Sequence, residues 1–321
     1  MKKGISNITF TVIILIVIAL CVATYFVVDS ILISSVNNEN AGNKVQNDIS
    51  QEPLYTMENF PKIDASLATQ PLTDAIISNF TGLDIDKIVT NYSNTHPAYV
   101  KLINDEVDLI VVTQPSEEEL KLAKDKGVEL EVIPVVKEGF VFYVNSKNPV
   151  NSLTRAQIQG IYSGEITNWK QVGGEDKAIT PYQRPTNSGS QTGMLSLVMK
   201  DKKLMEPKKE NLIQTMAEIV NLVSQYNNDV DAIGYSYYYY AKTMYETIDN
   251  TVASNIKFIS IDGIEPSNKN IQSGLYPYTT AYYIVINKAD DENSPARELA
   301  NHMLSARGQQ VAENVGYVPV K

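Results

Sequence analysis

The most informative stretch of the chain reads Tyr182-Gln-Arg-Pro-Thr-Asn-Ser-Gly-Ser-Gln-Thr192, and an apolar run that favours a helix, Met194 to Met199, follows it. The arginine offers planar, paired donors to an oxyanion. The Ser-Gly-Ser run would lie at a helix N-terminus, where unpaired backbone N–H groups and the helix dipole favour bound negative charge. Residue chemistry therefore predicts an oxyanion site, and the alternative is an ordinary helix cap beside a surface arginine.

The composition of the chain limits the classes of function. A formal net charge of −10 at pH 7 argues against nucleic acid as a partner, although local donors decide whether a small anion binds. Cys21 is the only cysteine, so an intrachain disulfide and a cysteine-based metal site are excluded. The two histidines, His96 and His302, do not occur in a metal-ligand spacing. We predict a protein that is not an enzyme and needs no metal or cofactor.

One enzyme alternative stays open. A serine hydrolase could use His96 or His302, because catalytic triads are defined by geometry rather than by sequence order. Against it, Asn187-Ser-Gly-Ser-Gln191 is not a Gly-x-Ser-x-Gly nucleophile elbow. The sequence therefore favours a binding protein over a hydrolase.

The N-terminus predicts a membrane anchor. The apolar run from Ile8 to Val28 contains no charged residue and follows Lys2 and Lys3. A run of about 20 apolar residues is long enough to span a bilayer as a helix. The lysines before it place the rest of the chain outside the cytoplasm. We expect residues 1–28 to form a cytoplasmic stub and a single-pass anchor in the cell membrane.

Two other interpretations of the N-terminus are a cleaved signal peptide and a lipoprotein. A signal peptide usually has a shorter apolar core and a clear small-x-small cleavage site, which this run lacks. A lipoprotein would carry a small residue immediately before Cys21, where Leu20 stands. Residues 29–52 are polar and rich in Asn, Gln and Ser, which predicts a flexible linker before a large folded part, residues 53–321.

Strand-like and helix-like patterns alternate through the folded part, which predicts an α/β protein with mainly parallel sheets. Strands are predicted at Val107–Thr113, Phe140–Val144 and Tyr282–Ile286. Helical spacing is found between Leu72 and Phe80, and Ser116 with Glu119 forms a capping box that opens another helix. The acidic run at this second helix therefore matches the helix dipole rather than a metal.

Two further loops could present ligand-binding groups beside the first stretch. Thr69 and Gln70 precede Pro71, which suits the first helical position, so they are expected at or beside the helix N-cap. The loop Asn91-Tyr-Ser-Asn-Thr-His-Pro97 precedes a helical run, Ala98–Ile103. Ordinary helix capping explains each loop equally well, and spacing alone does not show that the fold brings them together.

Several motifs together resemble the phosphate-binding proteins of bacterial ABC importers. They are Ile161-Tyr-Ser-Gly-Glu-Ile-Thr-Asn-Trp-Lys-Gln-Val-Gly-Gly174, the stretch 182–192, Ala232-Ile-Gly-Tyr-Ser236, Tyr276-Pro-Tyr-Thr279 and Gly316-Tyr-Val-Pro319. The resemblance implies a type II periplasmic-binding-protein fold, in which two α/β lobes close on an oxyanion like a Venus flytrap. It places lobe one at about 53–137 and 276–321, and lobe two at about 138–275.

The resemblance also implies a set of ligand-binding residues in the stretch 182–192. Arg184 matches the phosphate-binding arginine of the family. Ser188, Gly189 and Ser190 match its serine, glycine and hydroxyl contacts.

Three more residues match positions in the other two loops. Thr69 and Gln70 match positions that contribute a hydroxyl and a backbone N–H, and Ser93 lies in the loop that supplies a further serine contact. Gln114 stands where well-studied members of the family carry a carboxylate that accepts the proton of a protonated phosphate. Many Gram-positive relatives also lack this acid, so its absence does not exclude phosphate. Because a glutamine amide donates as well as accepts, it distinguishes phosphate from sulfate less sharply, and the ligand stays open.

The resemblance implies a solute-binding protein that captures phosphate or a related oxyanion and docks on ABC permease subunits. The alternative is a non-transport surface protein that uses a modified pocket as a sensor or interaction module. The tyrosine-rich run from Tyr235 to Tyr240 gives this alternative some support, because aromatic residues are enriched at interfaces. The competing interpretation of that run is a tyrosine-rich helix packed on a lobe.

Overall fold

The computed structural model describes residues 52–85, 92–225 and 231–320. The predicted anchor, residues 1–28 with its cysteine, lies outside these ranges, and so does the predicted linker, residues 29–52, apart from its last residue. Within the described ranges no helix is both long enough and apolar enough to cross a membrane.

The described chain alternates strands and helices, so the predicted α/β class is confirmed. The strands are β1 Ile63–Ala65, β2 Leu109–Val112, β3 Leu130–Asn145, β4 Ser152–Leu153, β5 Thr180–Pro181, β6 Ala232–Tyr237, β7 Ile256–Phe258, β8 Ser260–Ile261, β9 Thr279–Asn287 and β10 Val318–Pro319. The α-helices are α1 Gln70–Thr81, α2 Thr95–Ile103, α3 Glu117–Lys126, α4 Arg155–Ser163, α5 Gly189–Gly193, α6 Met216–Ser224, α7 Tyr245–Ile248, α8 Asn250–Ser254, α9 Asn268–Gln272, α10 Pro295–Leu304 and α11 Ala306–Asn314.

The main sheet is mixed, so the prediction of mainly parallel sheets is wrong. Its strand order is β1-β2-β9-β3-β6-β5, and β10 and β7 also pair with β3. Only the β1–β2 and β5–β6 pairs in this sheet are parallel, and a separate pair, β4–β8, is parallel as well. The two longest strands, β3 and β9, run antiparallel to their neighbours. Because a strand buried on both faces is a continuous apolar run in either kind of sheet, the sequence pattern did not distinguish them.

Strand β3 joins two halves of the sheet. It pairs with β9 from Leu130 to Gly139 and with β6 from Phe140 to Val144. We call β1, β2, β9, β10 and the start of β3 the first half, and β5, β6, β7 and the end of β3 the second half. The point at which β3 changes partner, between Gly139 and Phe140, is therefore a border between the two halves of the sheet.

The core of the second half is aromatic. Residues 140–144 are fully buried, as the predicted strand there requires, and the Phe140 ring lies 5.5 Å from the rings of both Tyr235 and Tyr237. These tyrosines belong to β6, so the interpretation of the tyrosine-rich run as a helix is wrong for them. Helical backbone begins only near its end and includes Tyr240–Met244. Tyrosine favours strands when it packs on a pleated, buried surface.

The Gly-x-Ile-x-Asn-Trp motif supports the strand that leads to the arginine. Gly164 ends α4 with a φ of 82°, a conformation that glycine adopts readily. Asn168 caps the short 3₁₀ turn that begins at Trp169. The Trp169 indole donates to the Asp231 carbonyl at 2.8 Å, and the same carbonyl accepts from the Thr180 N–H at 3.0 Å. The motif therefore fixes the start of β5, immediately upstream of Arg184.

Candidate functional site

One cavity of about 530 Å³ collects residues from both halves of the sheet. It contains five of the eight residues that the sequence singled out: Ser93, Arg184, Ser188, Gly189 and Ser190. The predicted residues Thr69, Gln70 and Gln114 are not among the residues that line it. The fold therefore brings the arginine stretch and the serine loop together.

Four helical N-termini meet at this cavity. The caps that line it are Ser66, before a 3₁₀ turn that leads into α1, Asn94 before α2, Ser188 before α5 and Thr215 before α6. Each terminus presents backbone N–H groups without an intrahelical partner and the positive end of a helix dipole. Converging termini of this kind favour an anion.

Two of the predicted helix starts are close to the observed ones. Helix α1 has Thr69 as its N-cap and Pro71 in its first turn, as the sequence indicated. Helix α2 begins at Thr95, three residues before the predicted Ala98, so Thr95 and the next two residues also belong to the helix. The earlier start moves the first turn of α2 into the cavity wall.

Arg184 is held in place, and its buried Nε is unpaired within the described part of the chain. Its backbone N–H donates to the Tyr235 hydroxyl at 2.9 Å, and its Nη2 donates to the Gln214 carbonyl at 2.8 Å. The buried Nε has no hydrogen-bond partner among the described residues. Burial lowers the pKa of the guanidinium from its usual value, and nearby tyrosine hydroxyls oppose the shift. The side chain therefore offers a fixed, partly desolvated charge to the cavity.

The start of α5 supplies further donors. The Ser188 hydroxyl accepts from the Gln191 N–H at 3.2 Å, so Gly189 and Ser190 keep N–H groups that precede the first intrahelical bond. The buried Ser190 hydroxyl has no partner among the described residues. A Cβ on Gly189 would lie only 2.6 Å from the Thr113 hydroxyl oxygen. The close approach of the two halves at this point therefore requires glycine.

Ser93 is bound to a buried carboxylate. Asp64 accepts from the Ser93 N–H at 2.9 Å, from the Ser93 hydroxyl, from the Ala65 N–H at 2.7 Å and from Lys101 Nζ at 2.7 Å. Burial alone would raise the pKa of Asp64, but the hydrogen bonds from Lys101 and Ser93 outweigh it and lower the pKa. The Ser93 hydroxyl therefore donates its proton to Asp64, and its oxygen can only accept hydrogen bonds from groups in the cavity.

Of the three predicted residues that do not line the cavity, two form hydrogen bonds within the protein and the third begins a helix. The fully buried Thr69 hydroxyl donates to the Val111 carbonyl at 2.6 Å, which ties α1 to β2. Gln70 is the first residue of α1. Gln114 Nε2 donates to the Ser196 hydroxyl at 2.6 Å, and Gln114 Oε1 accepts from Thr280 at 3.3 Å. These geometries place Thr69 and Gln114 in contacts within the protein.

Several lining residues were absent from the predicted site. Thr95, Thr113, Tyr237 and Tyr240 line the cavity, and the Tyr237 hydroxyl donates to the Gly189 carbonyl at 3.0 Å. The tyrosine-rich run and the serine loop were visible signals for three of them. Gln214 also lines the cavity, from a loop without a recognisable motif, so nothing in the sequence indicated it.

The cavity favours negative charge although the chain is acidic. Among the described residues that line it, Arg184 is the only arginine or lysine, and none is an aspartate or glutamate. The acidic residues that give the chain its net charge of −10 therefore lie outside this cavity lining. Neutral hydroxyls, amides and helix N-termini surround one guanidinium, which is an arrangement suited to a small oxyanion.

Comparisons with solved structures agree with this fold. A candidate phosphate ABC transporter substrate-binding protein from Clostridium perfringens with bound phosphate superposes with a TM-score of 0.60, at 23% identity, over 81% of this chain and 98% of that one. An ABC-type phosphate transport receptor from Vibrio cholerae gives a TM-score of 0.59 at 22% identity, over 80% and 98% of the two chains. The type II periplasmic-binding-protein fold is therefore confirmed.

Sequence relatives identify the family. Residues 62–307 match the PBP superfamily domain. The chain is 30% identical over 237 residues to the phosphate-binding protein PstS of Staphylococcus epidermidis, over 72% of this chain and 70% of that protein. It is 25% identical over 270 residues to the protein SphX of Synechococcus elongatus, over 80% and 76%. The chain therefore belongs to the PBP superfamily and, within it, to the family of the PstS proteins.

Proposed function

We propose that this chain is an extracytoplasmic solute-binding protein that captures phosphate or a related oxyanion in the cavity for import by an ABC transporter. The observation that carries the proposal is a pair of buried donors, Arg184 Nε and Ser190 Oγ, which have no partner among the described residues and belong to one cavity lining. A buried donor without a partner costs free energy, and a bound oxyanion would remove that cost.

The two halves of the sheet correspond to the proposed lobes. We assign residues 53–137 and 276–321 to lobe one and 138–275 to lobe two, and the change of partner of β3 at Gly139 supports this border. The hydrogen bonds between the halves include one from Gln114 to Ser196 and one from Asn187 to Glu118. A ligand that contacts both halves would stabilise the closed arrangement through its higher affinity for that state.

The proposed action is binding and release, with no bond broken in the ligand. The donors replace the hydration shell of the anion, and the charge of Arg184 compensates its charge. The proposal also includes ABC permease subunits as partners and the apolar N-terminal run, Ile8 to Val28, as a membrane anchor. Names of relatives that are phosphate-binding proteins support the transport role.

Calorimetric titration of the full-length protein in detergent tests the proposal. Orthophosphate and sulfate are titrated separately in a phosphate-free buffer. We expect binding that weakens by about 1.5–3 kcal/mol in Arg184→Gln, the range for hydrogen bonds to charged groups. The matched control is Arg155→Gln, which removes the same charge from a side chain that is 62% exposed and bonded to Asp262.

The control variant should bind like the wild type. Equal losses in both variants would show that Arg184 acts only through net charge. No heat with either anion, in a folded and ligand-free sample, would contradict the proposal and favour the surface-sensor alternative.

A further inference from the structure

A buried carboxylate lies behind one wall of the cavity. Asp64, the central residue of β1, is 3% exposed and is not among the residues that line the cavity. Its Oδ1 accepts from the backbone N–H groups of Ser93 at 2.9 Å and Ala65 at 2.7 Å. Its Oδ2 accepts from the Ser93 hydroxyl and from Lys101 Nζ at 2.7 Å. Each oxygen of the carboxylate therefore has two donors.

These donors determine where the proton of the Ser93 hydroxyl lies. Burial would raise the pKa of Asp64, but the hydrogen bonds from Lys101 and Ser93 outweigh it and lower the pKa, so the carboxylate is ionised at neutral pH and can only accept. The proton between the two oxygens therefore belongs to Ser93. A hydrogen bond to an ionised acceptor is about twice as strong as one between neutral groups, so the hydroxyl does not readily rotate away from Asp64.

Ser93 differs in this respect from other hydroxyls of the cavity. The Ser190 hydroxyl has no partner among the described residues, so it can rotate to donate or to accept. The Tyr237 hydroxyl donates to the Gly189 carbonyl, which is a neutral acceptor. Of these three hydroxyls, only that of Ser93 gives its proton to a charged group. Its oxygen therefore offers a ligand lone pairs and no proton.

Oxyanions differ in whether they can use such an oxygen. Orthophosphate and arsenate carry at least one hydroxyl group near neutral pH, whereas sulfate and selenate carry none. A P–OH or As–OH group can donate to the Ser93 oxygen. An oxygen of sulfate or selenate at the same place would face a second lone pair, and the serine oxygen would keep no hydrogen bond on that side, which costs free energy in a desolvated site.

We propose that Ser93, held by Asp64, is the residue by which this cavity distinguishes a protonated oxyanion from an unprotonated one, an inference that rests on the proposed oxyanion-binding function. Arg184, the Ser190 hydroxyl and the N–H groups at the start of α5 donate to the unprotonated oxygens of the anion. The hydroxyl group of the anion donates to Ser93. Asp64 is a positioning residue, because it contacts Ser93 and not the anion.

Calorimetry with four anions on the full-length protein in detergent tests this inference. Orthophosphate is compared with sulfate, and arsenate with selenate, at pH 7 and equal ionic strength, so that the members of each pair are similar in size. We expect each protonated anion to bind at least about tenfold more tightly than its unprotonated counterpart, because the latter leaves an acceptor unpaired. The ratio of affinities within each pair is the measured quantity, because a merely structural change would weaken both members alike.

Two variants remove the acceptor in different ways. Ser93→Ala deletes the oxygen and should bring both ratios to within about threefold, mainly through weaker binding of the protonated anions. Asp64→Asn can place an amide N–H where Oδ2 lies, so that the Ser93 hydroxyl is free to donate to a ligand. This variant should also bring both ratios to within about threefold, mainly through tighter binding of sulfate and selenate.

The matched control is Ser78→Ala. Ser78 is 5% exposed, and its hydroxyl donates to the Leu83 carbonyl at 2.6 Å, outside the cavity lining. The variant therefore removes a buried serine hydroxyl and one hydrogen bond without touching the cavity. It should keep both ratios.

The outcomes separate this inference from the proposed function. Equal binding of protonated and unprotonated anions by the wild type would overturn the inference and leave the proposed function standing. Binding of none of the four anions would overturn both. Unchanged ratios in Ser93→Ala would overturn the role of Ser93. Unchanged ratios in a folded Asp64→Asn, with lowered ratios in Ser93→Ala, would overturn the role of Asp64.

Discussion

The free energy of unfolding of the wild type should fall as pH rises from 5 to 8, and the variant Glu138→Gln should lose much less of it. Glu138 lies on β3 next to the point where this strand changes partner, and it is 2% exposed. Its Oε1 accepts from the Gly139 N–H at 2.7 Å and from the Tyr239 N–H at 3.2 Å. Burial raises the pKa of this carboxyl to about 8, although these backbone bonds oppose the shift. At neutral pH the group is therefore mainly uncharged.

The sign and size of the effect follow from proton binding. Between the ordinary pKa of 4.5 and the folded value of about 8, the folded state holds more protons than the unfolded state. The free energy of unfolding therefore falls with rising pH, by at most about 1.4 kcal/mol per pH unit from this group. Over pH 5 to 8 the wild type should lose roughly 2–4 kcal/mol relative to Glu138→Gln, which cannot ionise.

Urea denaturation of the full-length protein in mild detergent measures the difference. The only tryptophan, Trp169, is 2% exposed and reports unfolding of the second half by fluorescence. The control is Glu129→Gln, a glutamate whose side chain is 72% exposed directly before the same strand, which should leave the slope unchanged. Parallel pH profiles of the wild type and Glu138→Gln would show that protonation of Glu138 does not contribute to the pH dependence of stability.

Three further predictions concern residues around the cavity. Gly189→Ala should weaken anion binding at least about tenfold, because the added Cβ obstructs the close approach of the two halves. The free energy of unfolding should change by less than about 1 kcal/mol, because alanine favours a helix. Calorimetric titration measures the first effect and urea denaturation the second. Thr69→Val should lower stability by about 1–2 kcal/mol through the lost bond to Val111 and leave anion affinity unchanged, and a tenfold loss of affinity would contradict that. Asp64→Asn should lower stability by about 2–3 kcal/mol at pH 7, because the partly exposed Lys101 loses its buried partner. This last difference should shrink in acid, as pH falls through the lowered pKa of Asp64, and acid titration of both proteins would show it.

The sequence predicted best those features that depend on neighbouring residues. The capping box of α3 is an example, since Ser116 Oγ accepts from the Glu119 N–H at 3.3 Å and Glu119 accepts from the Ser116 N–H at 2.7 Å. The two residues are three positions apart, so the whole capping box lies within one helical turn and can be read from the local sequence. The start of α1 after Thr69 was predicted for the same reason.

Features that depend on distant residues were not predictable in this way. Whether β2 pairs with β9 in parallel or antiparallel orientation depends on how the chain returns after more than 150 residues. The direction of the Thr69 hydroxyl depends on a carbonyl 42 positions away, at Val111. Gln214 enters the cavity because α6 begins beside Arg184, and no local pattern encodes that proximity.

A crystal structure of the protein saturated with orthophosphate would show directly whether the cavity holds the anion. We expect tetrahedral density in the cavity, with oxygens at about 2.7–3.2 Å from Arg184 Nε and the Ser190 hydroxyl. An anion bound elsewhere, or a cavity without an anion at saturating phosphate, would contradict the proposed function.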